Sequence, residues 1–332
     1  MSTSAVWDGE RKIDLVSREV PEPGPGELKV RVEASGLCGT DSHIASGEYP
    51  LALPGVTIGH EFAGTIAEVG PDRTNGLRVG DRVAVDPNVP CHGCSYCHNA
   101  RPHLCENPQG IGVTRNGGLS ELATIPASQA YRVPEGLPPE AAALTEPLAC
   151  ALHAVDLAGL RPGATALVLG AGPIGILCAA LLVAAGASKV MVSEPNAERR
   201  TRVRDFGAEP AQPGAVADFQ ADVVLECVGR VETMKAAVEA VRPGGTVVWV
   251  GVASPEAEVR IKPYDVFRRE LTIRGTYVNP FTMERSLALL DSGRINWEAI
   301  VTHRFPLTNF EEAWTTHRTG AGLKISVQPT GA

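Results

Sequence analysis

Four of the eight cysteines in this 332-residue chain lie within one short segment, CHGCSYCHNARPHLC. Cys91, Cys94, Cys97 and Cys105 follow the spacing C-x2-C-x2-C-x7-C, which lets thiolates of a tight loop converge on one tetrahedral ion. Four sulfur ligands leave no position open for water or substrate. The pattern therefore predicts a structural zinc site in a lobe at residues 88–108.

Two other uses of these cysteines compete with zinc. Disulfides fit poorly, because adjacent C-x2-C pairs make strained loops and dense cysteine sets in a reducing compartment more often bind metal. An iron–sulfur cluster is the more serious rival. His92, His98 and His103 alternate with the cysteines but are surplus to a complete sulfur set, so we interpret them as solvent-exposed loop residues.

A glycine-rich turn predicts a dinucleotide site. In ALVLGAGPIGILCAALL, Gly170, Gly172 and Gly175 follow a strand and open a helix, with Pro173 and Ile174 between the last two glycines. The first glycine makes the tight turn, the second lets the backbone approach a pyrophosphate at the helix N-terminus, and the third permits close helix–strand packing.

An acidic residue follows at the expected distance. Glu194 ends the next apolar strand, KVMVSE, nineteen residues after Gly175, where an acceptor for the ribose hydroxyls belongs. Its carboxylate would repel a 2′-phosphate, which favours NAD. Arg199 and Arg200 lie within a turn or two and could soften that preference, so NADP is the less favoured alternative.

The composition limits which elements can position these residues. With 44% hydrophobic residues, the chain can form two ordinary domains. A net charge of -8 gives no basic surface for nucleic acid.

The first twenty residues have no apolar secretory region, so we expect a cytoplasmic protein. The longest apolar stretch, Ile176 to Ala187, is too short to span a bilayer and predicts a buried helix, without a membrane partner.

The chain changes character near Pro147. Before it, short β-rich runs are separated by glycine and proline, which predicts a barrel-like β domain over residues 1–147. After it, apolar strands alternate with helical patterns, which predicts a parallel-sheet, NAD-binding domain over 148–280. We expect the segment 281–332, which has no second dinucleotide motif, to return to the first domain.

A second group of metal-ligand types lies outside the cysteine lobe. Cys38 stands in GLCGTDSHI, and His60 and Glu61 stand in IGHEFAG. Taken singly, such a cysteine or histidine is usually a core residue. Taken together, GHEFAGTIAEVG, CGTD, the cysteine lobe, EPLA and GAGPIG resemble, in type and order, the motifs of the zinc-containing medium-chain alcohol dehydrogenases. The resemblance covers nearly the whole chain.

The resemblance implies an α/β fold with an N-terminal β-rich GroES-like barrel domain and a Rossmann doubly wound parallel sheet domain. It also implies a catalytic zinc held by Cys38, His60 and a carboxylate. Glu146 in TEPLAC matches the position that is often glutamate in the polyol (sorbitol-type) dehydrogenase branch, and we favour it as the resting ligand. Glu61 sits beside the metal in the family and is expected to alternate or to reach zinc through water.

Further roles are carried over from the family. Cys150 matches a position facing the nicotinamide, and Asp41 resembles the carboxylate that orients the zinc-bound histidine. Thr40 matches the hydroxyl that accepts the alcohol proton. His43 matches the histidine that passes the proton on, which suits a group with a pKa near 6.5.

Two departures from the family pattern stand out. Arg73 replaces the small or branched apolar residue expected three positions after Gly70, which predicts an altered loop there. The stretch GTDSHIASGEYP also differs from the sorbitol dehydrogenase form. Sorbitol is therefore not a safe choice of substrate.

We therefore expect a zinc-dependent enzyme that transfers hydride between NAD and a secondary alcohol in the cleft between its domains. The small-molecule substrate is expected to be a polyol, sugar alcohol or cyclitol. One alternative is an amino-alcohol dehydrogenase of the threonine 3-dehydrogenase type, and another is a non-catalytic nucleotide-binding protein on the same scaffold. A homo-oligomer, dimer or tetramer, is expected.

Overall fold

The computed structural model describes residues 1–72, 74–216 and 218–330. Arg73, where the sequence departs from the family signature, lies outside the described residues. The chain forms two compact units, Met1–Glu146 with Met283–Ser292 and Trp297–Ala332, and Pro147–Thr282 with Gly293–Asn296. The sequence had placed the corresponding boundaries at 147/148 and 280/281, and it gave no sign that 293–296 joins the second unit.

Short strands separated by turns dominate the chain up to residue 132. The strands are β1 Ser2–Trp7, β2 Ile13–Arg18, β3 Glu27–Gly36, β4 Glu61–Val69, β5 Arg82–Val85, β6 Asn88–Val89, β7 Gln109–Gly110, β8 Leu122–Pro126 and β9 Ala130–Arg132. The helices in and after this region are α1 Gly39–Ala45, α2 Ser95–His98, α3 Pro139–Ala143 and α4 Thr145–Ala158. Short 3-10 turns lie at Pro102–Leu104 and Ala127–Gln129.

Strands and helices alternate in the second unit. They are β10 Thr165–Leu169, α5 Pro173–Ala184, β11 Lys189–Ser193, α6 Ala197–Arg202, β12 Glu209–Ala211, β13 Ala221–Glu226, α7 Val231–Ala240, β14 Val241–Trp249, α8 Pro263–Arg268 and β15 Thr272–Gly275. The chain continues with α9 Met283–Asp291, α10 Trp297–Ile300, β16 Val301–Pro306, α11 Phe310–Thr319 and β17 Lys324–Gln328. The remaining 3-10 turns among the described residues are Val203–Phe206, Pro213–Val216 and Leu307–Asn309.

The second unit contains a parallel sheet in the order β12-β11-β10-β13-β14-β15. Counted within the unit, this is the 3-2-1-4-5-6 order of a Rossmann fold, so the predicted doubly wound sheet is confirmed. Helix α5 carries most of the longest apolar stretch, and its residues from Gly175 to Leu182 are buried, as predicted, whereas residues 184–186 at the end of that stretch are exposed. Among the described residues, no helix has both the length and the apolar character needed to cross a bilayer.

The main sheet of the first unit has the order β16-β17-β3-β4-β5-β9, with β8 also paired to β3. Strand β3 is central, since it pairs antiparallel with β4, β8 and β17. Val30 and Val32 of β3 pack in one core cluster with Phe62 of β4. In a second cluster, Leu37 and Ile44 pack with Ile325 of β17, which fixes helix α1 against the end of the sheet.

Candidate active site and metal centres

The position of the Cys38 thiol is fixed by the start of helix α1. The Asp41 carboxylate accepts a hydrogen bond of 2.9 Å from the Cys38 backbone N–H. A side chain three residues into a helix that bonds back to the N-cap backbone stabilises the helix start. Ile44 on the same helix is fully buried, so the helix cannot turn without exposing it.

Strand pairing brings His60 and Glu61 to the same place. Gly36, at the end of β3, pairs with Glu61, and Cys38 follows two residues later. A Cβ on Gly36 would overlap the Glu61 carboxylate, so glycine makes room for that side chain. As a result, one ligand atom from each of Cys38, His60 and Glu61 lies within 4.8 Å of the other two.

The carboxylate in this group is not the one that we favoured from the sequence. Glu146 is buried in the first turn of α4, but the mutually close donor group contains Glu61 instead. The physical reason is that Glu61 follows His60 directly and is held by the β3–β4 pairing. Glu146 depends on how α4 begins, which local sequence does not determine.

Asp41 faces His60, as the family resemblance implied. The distance from Asp41 Oδ1 to His60 Nδ1 is 3.5 Å, and neither atom has another hydrogen-bond partner among the described residues. Burial disfavours a charged imidazole, but the nearby Cys38 and Asp41 outweigh it and hold the pKa of His60 well above its usual value. Burial likewise works against the Asp41 carboxylate, yet the charge of His60 lowers the pKa of Asp41. With Nδ1 directed at Asp41, Nε2 is the ring nitrogen available to a metal.

The two expected relay residues occupy different surroundings. Thr40 is half-buried, and its hydroxyl oxygen lies 3.8 Å from Cys38 Sγ. The side chain of His43 is 55% exposed, and its Nδ1 lies 2.9 Å from Glu48 Oε2. Thr40 thus lies beside the sulfur and His43 at the surface, and the proton relay through them stays a prediction. The contact with Glu48 was not anticipated.

Sequence reasoning missed a buried lysine at the site. Lys324 Nζ lies 2.8 Å from Glu61 Oε1 and 2.6 Å from Oε2, and it donates a hydrogen bond of 3.1 Å to the carbonyl of Leu37. Burial opposes its charge, but Glu61 raises the pKa of Lys324. The lysine within the apolar strand LKISV was the one sequence feature that could have indicated a buried charge. Its partner, Glu61, could not be predicted from the sequence because it depends on the register of the sheet.

A second missed residue, His317, lies on helix α11. Its Nε2 is 3.1 Å from the hydroxyl of Ser42 on α1, and its ring stacks on Trp314 with centroids 5.6 Å apart. Burial lowers the pKa of His317. The contact ties helix α11 to helix α1, which Cys38 directly precedes.

The four lobe cysteines converge as their spacing predicts. Their sulfur atoms all lie within 4.8 Å of one another, and the Cys94 and Cys97 sulfurs are 3.6 Å apart. The backbone N–H groups of Glu106 and Cys97 lower the pKa of Cys94 to about 6. Burial and the neighbouring sulfurs raise the pKa of Cys97 to about 12.

All eight cysteines lie in the described part of the chain, and all are free thiols. His92 and His98 are exposed, as expected. The expectation for His103 is wrong: it is half-buried, and burial lowers its pKa. The reason is that His103 lies in the 3-10 turn that leads into the buried Cys105.

The glycine turn has the conformation that its sequence requires. Gly170 has a φ of +99°, which other residues rarely adopt. Gly172 precedes α5, and Pro173 and Ile174 are its first two residues. A Cβ on Gly175 would overlap the carbonyl oxygen of Gly170, whereas one on Gly172 would meet nothing within 4 Å.

Glu194 does more than the sequence predicted. It is buried, its Oε2 accepts the Ala171 N–H at 2.8 Å and its Oε1 accepts the Asn196 N–H at 2.8 Å. The carboxylate thus ties the end of β11 to the glycine turn. The ribose role of Glu194 stays a prediction.

The two arginines nearby have separate contacts. Arg200 Nη1 donates hydrogen bonds of 2.7 and 2.9 Å to the carbonyls of Glu194 and Pro195. The backbone N–H of Arg199 bonds to Asn196 Oδ1 at 3.0 Å, which caps helix α6. Cys150, predicted to face the nicotinamide, is half-buried on α4.

Two family patterns match the chain. Residues 24–135 match the alcohol dehydrogenase GroES-like domain, and residues 173–292 match the zinc-binding dehydrogenase domain. The first match contains Cys38, His60, Glu61 and the cysteine lobe. The second begins at the start of α5.

Whole-length relatives agree with these matches. A D-arabinitol dehydrogenase of Uromyces fabae is 32% identical, over 98% of this chain and 97% of its own. An L-threonine 3-dehydrogenase of Pyrococcus abyssi is 34% identical, over 94% of each chain. A solved structure from Sinorhizobium meliloti 1021, described as a zinc-binding dehydrogenase bound to NADP, is 36% identical with a TM-score of 0.95 and 99% coverage of both chains.

Alanine variants of Gly175 and Gly172 should have different effects, one on the stability of the second unit and the other on cofactor binding. Gly175→Ala should lower the stability of the second unit by about 2 kcal/mol, because the added methyl overlaps backbone. Gly172→Ala should leave the melting temperature unchanged but weaken NADH binding at least about tenfold, because the backbone can no longer approach the pyrophosphate closely. Calorimetry and a fluorescence titration with NADH measure the two effects; equal NADH affinity in Gly172→Ala would contradict the assignment.

Proposed function

This chain belongs to the zinc-containing alcohol dehydrogenase family, and we propose that its catalytic zinc is held by Cys38, His60 and a buried carboxylate, Glu146 or Glu61. The enzyme transfers hydride between a nicotinamide cofactor and a secondary alcohol. The observation that carries the proposal is the convergence of a thiol, an imidazole and a carboxylate within 4.8 Å. Such a set fits zinc, whose catalytic sites combine three protein ligands with one open position.

When bound at this site, zinc acts as a Lewis acid toward the alcohol oxygen. The chain's own residues supply the rest of the chemistry. Asp41 fixes the ring of His60, which presents Nε2. The Thr40 hydroxyl, close to Cys38, accepts the proton that the alcohol loses, and His43 passes it toward solvent.

We assign a second, structural zinc to Cys91, Cys94, Cys97 and Cys105. A Zn–S distance of about 2.3 Å places tetrahedral sulfurs about 3.8 Å apart. The 3.6 Å between the Cys94 and Cys97 sulfurs is close to that spacing, and all four sulfurs lie within 4.8 Å of one another. Such close convergence favours a single ion over an iron–sulfur cluster, which must enclose several iron atoms.

We propose NAD as the preferred cofactor. Glu194 supports this, since a buried carboxylate held beside the glycine turn would repel a 2′-phosphate. NADP is the alternative cofactor, and the structure of the relative from Sinorhizobium meliloti, which contains NADP, supports it. The turn itself serves either cofactor, because the pyrophosphate is common to both.

The proposed substrate class is a polyol, sugar alcohol or cyclitol. The D-arabinitol dehydrogenase relative and the glutamate at position 146 support it. The L-threonine 3-dehydrogenase relative supports the amino-alcohol alternative. A non-catalytic role is disfavoured, because such a protein would have no use for this buried donor set. The expected homo-oligomer and the cytoplasmic location stay predictions.

Loss of a zinc donor should abolish activity without abolishing cofactor binding. Cys38→Ser and His60→Ala should each lower the zinc content by one ion per chain. They should also reduce kcat/KM by more than the roughly 10–100-fold that follows from changing outer partners of a metal site. Metal analysis, turnover and NADH titration test this; His98→Ala, in the exposed part of the lobe, is the control that should keep both zinc ions. Normal turnover in His60→Ala would refute the assignment.

Removal of the Glu194 charge should shift cofactor preference. Glu194→Gln keeps the shape but removes a repulsion with the 2′-phosphate worth on the order of 1–4 kcal/mol, so the ratio of kcat/KM for NADP to that for NAD should rise at least about tenfold. Glu198→Gln, an exposed glutamate paired with Arg202 at 3.0 Å, should leave the ratio unchanged. An unchanged ratio in Glu194→Gln would mean that this carboxylate does not face the ribose.

The substrate class can be tested directly with purified enzyme. Sugar alcohols, cyclitols, diols and L-threonine are compared by NADH formation, and we expect the highest kcat/KM for a member of the first two groups. A preference for threonine would select the amino-alcohol alternative. No turnover of any alcohol by zinc-replete protein would select the non-catalytic one.

A further inference from the structure

The imidazole of His43 has a carboxylate partner, Glu48. His43 Nδ1 lies 2.9 Å from Glu48 Oε2, and within the part of the chain that the structure describes Nε2 has no hydrogen-bond partner. Hydrogen bonds from His43 and Ser46 lower the pKa of Glu48, so its carboxylate is ionised and can only accept. Nδ1 therefore carries the hydrogen of this bond, and in the neutral ring the free lone pair lies on Nε2.

The backbone at the end of helix α1 fixes Glu48 relative to His43. Gly47 has a φ of +77°, and its N–H donates a hydrogen bond of 2.9 Å to the carbonyl of Ile44. The N–H of Glu48 donates a hydrogen bond of 2.9 Å to the carbonyl of His43. These two bonds form a Schellman motif, in which the side chains of these two positions commonly make an apolar contact. Here the contact is a hydrogen bond between an imidazole and a carboxylate.

Helix α1 also aligns His43 with Thr40. Residues three positions apart lie on one face of a helix, with Cβ atoms about 5–6 Å apart. The Thr40 hydroxyl oxygen is 3.8 Å from Cys38 Sγ, whereas the side chain of His43 is 55% exposed. This face of the helix thus leads from the proposed metal site to the surface, and Glu48 stands at its outer end.

We propose that Glu48 is a positioning residue for the proton relay, because it holds the His43 ring with Nε2 open to take up the proton. This inference rests on the proposed function. When the alcohol is oxidised, its carbon gives a hydride to the nicotinamide and its O–H proton leaves by way of Thr40. His43 Nε2 gains that proton, the ring becomes an imidazolium beside the Glu48 carboxylate, and Nε2 then releases the proton to water. Glu48 itself gains no proton.

This role differs from that of an ordinary surface ion pair. The side chains of His43 and Glu48 are 55% and 66% exposed, and exposed pairs contribute little to stability. Loss of Glu48 should therefore leave the melting temperature, the zinc content and the NADH affinity unchanged. Its effect should be confined to the step in which the proton leaves.

The test follows the first turnover of zinc-replete enzyme with NAD and its best alcohol, by NADH absorbance in a weakly buffered solution. Glu48→Ala should slow hydride transfer about tenfold, because the ring of His43 is no longer held. Increasing concentrations of the morpholine buffer MOPS at constant pH should restore the rate, since a soluble base can take the proton instead. A residue that only supported the fold would not respond to buffer.

His43→Ala is the variant against which this effect is compared. It should slow hydride transfer at least as much as Glu48→Ala and respond to MOPS in the same way. Adding Glu48→Ala to His43→Ala should cause no further loss, because Glu48 acts only through His43. Asp14→Asn is the matched control: it removes an exposed ion pair of 2.6 Å with Lys12 in the same unit and should keep the wild-type rate.

Three results overturn the proposal: a wild-type rate in Glu48→Ala, a slow rate that does not respond to MOPS, or a further loss in the double variant. If His43→Ala slows hydride transfer and Glu48→Ala does not, the relay stands without Glu48. If His43→Ala keeps the wild-type rate, the relay through His43 fails and the inference fails with it. The zinc site is tested separately, by the metal content of Cys38→Ser.

Discussion

The antiparallel pairing of β3 with both β4 and β17 is the constraint on which the candidate active site depends. Gly36, at the end of β3, lies between Glu61 and Ser326 in the sheet. This one position brings Glu61, the first residue of β4, and His60, which precedes that strand, next to the cysteine that follows β3, and it brings a lysine of β17 next to Glu61. The absence of a side chain at Gly36 leaves room for the Glu61 carboxylate at the point where these strands meet.

Charge balance explains why so many ionisable groups can be buried there. Isolated charges in a protein interior are strongly destabilising, so buried ones occur paired and hydrogen-bonded. Asp41 faces His60 and accepts the Cys38 N–H, while Lys324 faces Glu61. Asp41 and Glu61 therefore each have a basic or N–H partner. Because Asp41 faces Nδ1 of His60, the other ring nitrogen, Nε2, is the one left for a metal.

In the second unit, a close backbone approach and a buried carboxylate likewise meet at one place, the glycine turn. The glycine turn lets the strand end pass close to the start of α5, where N–H groups without helical partners favour an anionic ligand. Glu194 binds the N–H of Ala171 within that turn, so the side chain expected to select the cofactor also fixes the loop that holds it. The cofactor preference that we propose for Glu194 and the geometry of the glycine turn are thus linked through one carboxylate.

The sequence by itself determined the features whose physics is local: the metal-ligand spacing of the lobe cysteines, the glycine turn at the start of an apolar helix, and the alternation of strand and helix after Pro147. These depend on contacts between residues close in the chain. Tertiary structure alone decided that Glu61 rather than Glu146 joins the mutually close donor group, that Lys324 binds Glu61, and that His317 contacts Ser42. Those pairs are brought together by sheet register and helix docking across hundreds of residues, and no local pattern encodes the partner of a buried charge.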